Sequence, residues 1–260
     1  MDGRVTATRD GRCTHIVLDR PARKNALTAA MLEQLIGAVD ELATDATTDV
    51  VVINGAGTDF CTGSDVGDIA ALLALDAGGR KAAFEKAMSN TVHPLMRSIM
   101  ELPQVVVVSV RGHAVGLGAA LILAADLAVL SKPARISLPQ VALGHTVDHG
   151  ESFLLPRKVG PVRAMQMVLL GERVTGTEAE RFGLANAVVA DGALDERTAE
   201  LVSALLAGSP SSLRGSKWLV ARSLERDRGA QFAAEVHAVS ECAYSKEFAT
   251  AIEATIGGRA

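Results

Sequence analysis

The stretch LPQVVVVSVRGHAVGLGAALILAADLAVLS, residues 102–131, alternates between two kinds of order. VVVVSV, 105–110, is a short unbroken run of mostly β-branched residues, the pattern of a strand buried on both faces. The glycines from Gly112 to Gly118 then mark a loop. A helix is expected from about Leu117, and DLAVLS, 126–131, returns to strand. Apolar strands alternating with helices require a parallel-rich sheet covered by those helices.

The same grammar continues outward. VVVIN, 50–54, is a second buried strand, followed by the loop GAGTDFCTGSD. Val5–Thr8 and His15–Asp19 alternate and flank Asp10-Gly11, a hairpin signal. Thr28 can cap a helix running to about Leu42, with Leu27, Met31, Leu35 and Val39 at helical spacing. Two helical segments are expected at about 66–75 and 80–101, with Gly78-Gly79 as a flexible joint between them. From about 195 the pattern is helical only, and EVHAVSECAYSKEFATAIEATI reads as a terminal amphipathic helix or helix pair. This divides the chain into an α/β core, 1–195, and a C-terminal helical region, 196–260.

Composition narrows the function classes. The 260 residues are 48% hydrophobic and 22% charged, which suits one large domain or a core with a small appendage. A net charge of −4 without clustered Lys or Arg argues against nucleic acid as a partner. Cys13, Cys61 and Cys242 are odd in number and unpaired in spacing, as in a reduced cytoplasmic protein. MDGRVTATRDG has no apolar run to serve as a signal peptide, and AVGLGAALILAA is too short to span a membrane. Aromatic residues make up 3%, so a ligand surface here is aliphatic and backbone-made.

Two glycine-marked loops, 55–66 and 111–121, each follow a buried strand. A helix opening at Leu117 leaves its first-turn N–H groups without intrahelical partners, and its positive end favours an anionic oxygen. The loop at Thr62-Gly63-Ser64-Asp65 can present the Ser64 N–H in the same way. Two backbone donors converging on one oxygen make an oxyanion hole, which stabilises an enolate or a tetrahedral thioester intermediate. Packing turns are the plainer reading of such glycines. A dinucleotide site fits poorly, because the glycines run G-x-x-x-G-x-G and Asp126 comes too early for a ribose contact.

A third feature is polar. His145, Asp148, His149 and Glu151 fall within seven residues. D-H-G-E, 148–151, has capping-box spacing, with Asp148 as N-cap and Glu151 three residues on. H-x-x-D-H is not a recognised ligand pattern, so no metal is expected. His93 precedes Pro94, at a helix start or kink.

These segments together resemble the crotonase (enoyl-CoA hydratase/isomerase) family. DRPARKNALT, 19–28, resembles its R-P-x-x-x-N-A-L segment, and GAGTDFCTGSDV its G-x-G-x-x-F-C-A-G-x-D-L. Residues 102–131 resemble its K-P-x-I-A-A-V-N-G-x-A-x-G-G-G segment and the strand that follows, and VTGTEAERFGLANAVV, 174–189, its A-x-x-A-x-x-x-G-L-V segment. The resemblance implies a spiral of ββα units with a C-terminal helical trimerisation region, assembled as a homotrimer or hexamer. It implies acyl-CoA substrates of the kind met in fatty acid metabolism, with coenzyme A part of the substrate and no separate cofactor. The oxyanion donors would be the N–H groups of Ser64 and Leu117. Arg23, Lys24 and Ala26 would line the CoA pocket, with Asp65 and Val66 near the pantetheine.

The departures are as informative. The two glutamates of the family's hydratases correspond to Ala120 and Gln140, neither of which can carry a proton at neutral pH. Leu117 stands where glycine is usual, adding bulk beside the acyl site, and Arg111 replaces an asparagine. The family's phosphate-binding C-terminal end is not evident in IEATIGGRA. Asp148 falls where the family's dienoyl-CoA isomerases carry a catalytic aspartate and where its 4-chlorobenzoyl-CoA dehalogenases carry a nucleophilic one. His93 matches a histidine of those dehalogenases. The resemblance therefore implies a lyase or isomerase that transfers a proton, or adds and eliminates, through an enolate, with Asp148 as acid/base helped by His93. Two other readings stay open. In one, Asp148 attacks the thioester and His93 activates water. In the other, the CoA pocket is kept and catalysis is lost. His113 and Glu151 are further proton carriers to consider.

Overall fold

The valine runs form the middle of a sheet. The computed structural model describes residues 3–257. In chain order it begins with β1 (Arg4–Asp10), β2 (Cys13–Asp19), α1 (Ala29–Thr44), β3 (Val50–Gly55), α2 (Val66–Ala71), α3 (Ala77–Ala87) and α4 (His93–Glu101). It continues with β4 (Val105–Val110), β5 (His113–Val115), α5 (Leu117–Ala124), β6 (Leu127–Ser131), β7 (Arg135–Ser137), α6 (Glu151–Val159) and α7 (Pro161–Leu170). It closes with β8 (Val174–Thr175), α8 (Gly176–Phe182), β9 (Ala187–Val189), α9 (Leu194–Leu206), α10 (Pro210–Ala221), α11 (Arg228–Tyr244) and α12 (Lys246–Gly257). Gly258–Ala260, within the C-terminal end weighed above, lie outside the described residues.

The large sheet has the order β1-β2-β3-β4-β6-β9; β1 pairs antiparallel with β2, and every other pair is parallel. All six residues of β4 are buried, as an unbroken apolar run requires of a central parallel strand. β1 is polar and mostly exposed, which suits an edge. A second sheet, β5-β7-β8, branches off just beyond β4. The turn from the first sheet to the second carries the chain past the strand ends, where the spiral places its loops.

Helices cover both faces. α1 starts at Thr28, whose hydroxyl accepts the Met31 N–H at 3.2 Å, and it buries Met31, Leu35, Val39 and Leu42 against the main core. Burying side chains of this size contributes about 1.5–3 kcal/mol each. A second cluster on the opposite face joins Cys13, Val50, Val52, Val105, Val107 and Val129 to Leu194 and Val202 of α9. α10 is tied to the same face by charge. Lys217 Nζ lies 2.7 Å from Asp126 Oδ2 and donates to the Gln104 carbonyl at 2.8 Å, and Arg214 pairs with the buried Asp49 at 3.0 Å. No helix of the described residues is long and apolar enough to cross a membrane.

The segment 66–101 differs from the sequence expectation. Gly78 and Gly79 are not a joint but the first turn of α3, with the Asp76 side chain accepting the Gly79 N–H at 2.7 Å. The break falls instead at a π-helical turn, Met88–Val92, just before α4. Pro94 has no N–H to continue the α ladder, so the turn widens there and His93 opens a new helix.

One loop is held by a single side chain. Asn25 is fully buried with φ 55. Its oxygen accepts the Arg20 N–H at 2.8 Å, and its amide donates to the carbonyls of Ala56 at 2.9 Å and Asp59 at 2.6 Å. Asn25→Ala would strand three partly buried backbone groups. It is expected to destabilise the fold by about 3 kcal/mol, read from the midpoint of urea unfolding.

Candidate active site

Two loops leave the ends of neighbouring parallel strands and cross in contact. Cys61 N–H donates to His113 O and Val115 N–H to Cys61 O, each at 2.9 Å, so the loop after β3 is stitched to β5. The same loop is stitched on its other side to 24–27. Leu27 N–H donates to Gly63 O and Asp65 N–H to Leu27 O, both at 2.8 Å, and Thr62 N–H donates to Lys24 O at 3.1 Å. In this parallel bridge residues 63 and 65 make the bonds, so Ser64 turns its own N–H the other way.

Leu117 is the first residue of α5, and its N–H has no acceptor within the helix. Gly63 brings the two donors side by side. With φ +86, it lies so close that an added Cβ would stand 2.8 Å from Val115 O and 3.4 Å from Leu117 N. Gly118 allows the approach from the other loop, since a Cβ there would meet Cys61 O at 2.2 Å. The Leu117 side chain is fully buried in the core rather than standing as bulk over the donors. Burial pushes the Cys61 thiol up to about 12, so it is inert beside them.

The rest of the loop cluster is occupied by its own pairings. Arg23 and Lys24 are exposed at the rim, Ala26 and Ser64 half-buried, and Val66 exposed at the head of α2. Asp65 caps α2 through the Gly67 N–H and pairs with Arg20, and the Arg20 hydrogen bond holds its carboxyl below the usual range. His113 Nδ1 lies 2.6 Å from Asp59 Oδ1 and 3.3 Å from Lys24 Nζ. Burial raises the Asp59 pKa, but the His113 hydrogen bonds and the Lys24 charge outweigh it and leave the group low. Arg111 is turned toward Asp191 and Asp195, 3.4 Å from each.

A second cluster forms between α4 and α6. His93 Nε2 donates to the Asp148 carbonyl at 2.8 Å, so the two residues singled out by sequence do meet. The contact is to the Asp148 backbone, not to its carboxylate. Asp148 is not the cap of α6. Gly150 occupies that place at φ +92, and no side chain accepts an N–H there. The left-handed turn at Gly150 redirects the chain, and Glu151 becomes the first residue of the helix, with 0% exposure. Instead of completing a capping box, Glu151 accepts the His149 N–H at 2.7 Å and the Gln140 side-chain amide at 2.8 Å.

His149 Nδ1 lies 3.1 Å from Glu151 Oε1 and 3.2 Å from Asp148 Oδ1. Its approach to Asp148 is off the hydrogen-bonding direction, and Asp148 Oδ1 accepts no hydrogen bond among the described residues. Burial opposes charge on both His149 and Glu151. Their hydrogen bond and mutual attraction win, raising the imidazole and lowering the carboxyl. His145 Nδ1 is 3.7 Å from Asp148 Oδ2. The donor atoms of Asp148, His149 and Glu151 lie within 4.8 Å of one another, close enough for a divalent cation, but a proton on His149 sets one positive charge between the two carboxylates without any ion.

The two clusters border one helix. α5 carries Leu117 at its N-terminus and packs against both α4 and α6. Asn25, Asp59 and the Gln140–Glu151 bond were not found from sequence. The first stands as one letter of a motif, Asp59 meets His113 from far along the chain, and Gln140 reaches Glu151 across an irregular loop.

The family model described as enoyl-CoA hydratase/isomerase matches residues 9–255. The chain is 30% identical to the 2,3-dehydroadipyl-CoA hydratase of Escherichia coli (strain K12), over 85% of this chain and 83% of that protein. It is 32% identical to the 1,2-epoxyphenylacetyl-CoA isomerase of the same organism, over 75% of this chain and 73% of that protein. Among solved structures, an enoyl-CoA hydratase of Mycobacterium smegmatis is similar with a TM-score of 0.88 at 28% identity, covering 98% of this chain and 96% of that one.

The buried pair sets a pH signature. His149 is raised from 6.5, so its contribution to stability is whole below 6.5 and fades as pH rises through its folded value. Glu151 is lowered from 4.5, so its contribution is present above 4.5 and fades as pH falls through its folded value. The stability advantage over Glu151→Gln is therefore expected to be widest between pH 4.5 and 6.5 and to narrow on either side, in urea unfolding repeated across that range.

Proposed function

Because this chain belongs to the enoyl-CoA hydratase/isomerase family, with acyl-CoA enzymes as relatives, we propose that it shifts a proton along an unsaturated acyl-CoA, with Asp148 as the one acid/base. One observation carries this reading. Of the carboxylates in the cluster, Glu151 is saturated by donors, while Asp148 keeps a buried oxygen with no hydrogen bond. Hydration asks for two groups, one to activate water and one to deliver a proton. With Ala120 and Gln140 at the hydratase positions, a single free carboxylate suits isomerisation better, since one group can take a proton and return it elsewhere.

The steps balance with one carboxylate. Asp148 takes a proton from the α-carbon of a 3-enoyl thioester, and the electron pair moves onto the thioester oxygen. The N–H groups of Ser64 and Leu117 hold that oxygen as the dienolate. The electrons then return, and protonated Asp148 delivers the proton to the γ-carbon, leaving a 2-enoyl thioester. Arg23 and Lys24, exposed on the loop stitched to Ser64, would meet the CoA phosphates, and Ala26, Asp65 and Val66 would border the pantetheine. His93 would act by holding the Asp148 backbone, which favours proton transfer over a hydrolysis in which His93 activates water.

Asp148→Asn is expected to lower kcat on trans-3-hexenoyl-CoA by about 10²–10⁴-fold with KM little changed. Wild-type turnover by the variant would overturn the assignment. Tight binding of acyl-CoA by the wild type with no turnover of any thioester would favour a binding protein instead.

Assembly as a trimer, or paired trimers, is part of the same proposal. Its support is the apolar stripe left exposed on α11 and α12, with Phe232, Val236 and Val239 on one and Phe248, Ile252 and Ile256 on the other. Sedimentation is expected to give three or six times the 27.0 kDa chain mass, and Phe232→Asp with Val236→Asp to lower it.

A further inference from the structure

His149 is a histidine that the proposed reaction leaves unused, and at 6% exposure it is enclosed. It adjoins Glu151, a wholly buried carboxylate that accepts the Gln140 amide and the His149 N–H. An ionised group so enclosed needs a counter-charge nearby. The cation within reach is the His149 ring, whose Nδ1 faces Glu151 Oε1 at 3.1 Å and Asp148 Oδ1 at 3.2 Å. Burial works against charging that ring, but Glu151 reverses the balance.

Gln140 completes the arrangement. Its side chain is buried and donates to Glu151 Oε1 at 2.8 Å, where a glutamate would set carboxylate against carboxylate. Gln140, at the second hydratase position, thus suits the buried carboxylate of Glu151. On the reading of Asp148 as the acid/base, we propose that Glu151 and His149 are positioning residues, with Glu151 keeping the ring protonated at Nδ1 and the ring's N–H edge orienting the Asp148 carboxylate. When Asp148 is ionised, the N–H can lean toward it. When Asp148 holds the substrate proton, the N–H rests on Glu151. The ring serves both states without leaving its place, and no proton leaves His149.

The other groups facing this site are few. His93, at the head of α4, grips the Asp148 carbonyl, and His145 on the preceding loop lies 3.7 Å from Asp148 Oδ2. Gln140 is neutral, and α5, LGAALILA, presents no titratable group.

The test is the pH dependence of kcat and KM on trans-3-hexenoyl-CoA, joined to ¹⁵N-histidine NMR of the wild type. His149→Ala is expected to lower kcat by about 10–100-fold with KM within about threefold. His149→Asn, with an amide N–H near the place of Nδ1, recovers most of the loss. Glu151→Gln moves the alkaline limb of the kcat profile to lower pH, because the ring loses its anion, while His145→Asn leaves that limb in place. If Asp148→Asn abolishes turnover but His149→Ala keeps wild-type kcat and profile, this inference falls and the Asp148 assignment stands. If Asp148→Asn turns over normally, the Asp148 assignment falls first and takes this inference with it. The NMR spectrum needs neither variant nor substrate. A His149 Nδ1 protonated at pH 7 is expected, and an unprotonated one overturns the proposal.

Discussion

Everything at the site depends on how closely two loops can approach. β3 and β4 are neighbouring parallel strands, so the loops that follow them leave the sheet at the same end. They bring two unpaired N–H groups together only because backbone lies directly on backbone at Gly63 and Gly118. The bonds from Cys61 to β5 and from Leu27 to Gly63 and Asp65 then lock that contact from both sides. The proposed donors, the nitrogens of Ser64 and Leu117, are therefore placed by the main chain, and the Leu117 side chain belongs to the core. A site of this kind tolerates changes of residue type that would destroy one built from side chains.

The chemistry is then decided by charge. A buried carboxylate is costly unless it is paired and hydrogen-bonded. Glu151 meets both conditions through His149 and Gln140, and so it is bound into the structure. Asp148, a few residues away, is left with an unoccupied oxygen and is half-buried. Two carboxylates close in sequence thus have different environments, which is how proteins divide roles among like groups.

The layout was legible wherever the signal was local. The apolar runs of β3 and β4, the Thr28 cap and the helix start at Leu117 are read from a few adjacent residues, and the structure has them where expected. The 145–151 stretch misled for the opposite reason. Its capping-box spacing assumes that Asp148 faces the helix end, but Gly150 at φ +92 turns the chain away. The partner that claims Glu151 is Gln140, on a separate 3₁₀ turn. The joint at Gly78-Gly79 failed similarly, because the Asp76 cap absorbs both glycines into a helix. Pairings across the fold, such as Asn25 with Asp59 or His93 with the Asp148 carbonyl, leave no periodic trace.

The ties between α10 and the sheet give the C-terminal region a different standing from an appendage. Asp49 and Asp126 lie next to the sheet; Arg12 pairs with Asp49 within the α/β core, and Arg214 and Lys217 join them when the last quarter of the chain has docked. Until then Asp49 is held by Arg12 alone and Asp126 by the Val106 N–H, without the cation of α10. A nascent chain released before residue 217 would carry the whole α/β pattern and still be electrostatically incomplete. Docking of α10 therefore completes the charge pairing beside the sheet, with contacts made late in synthesis.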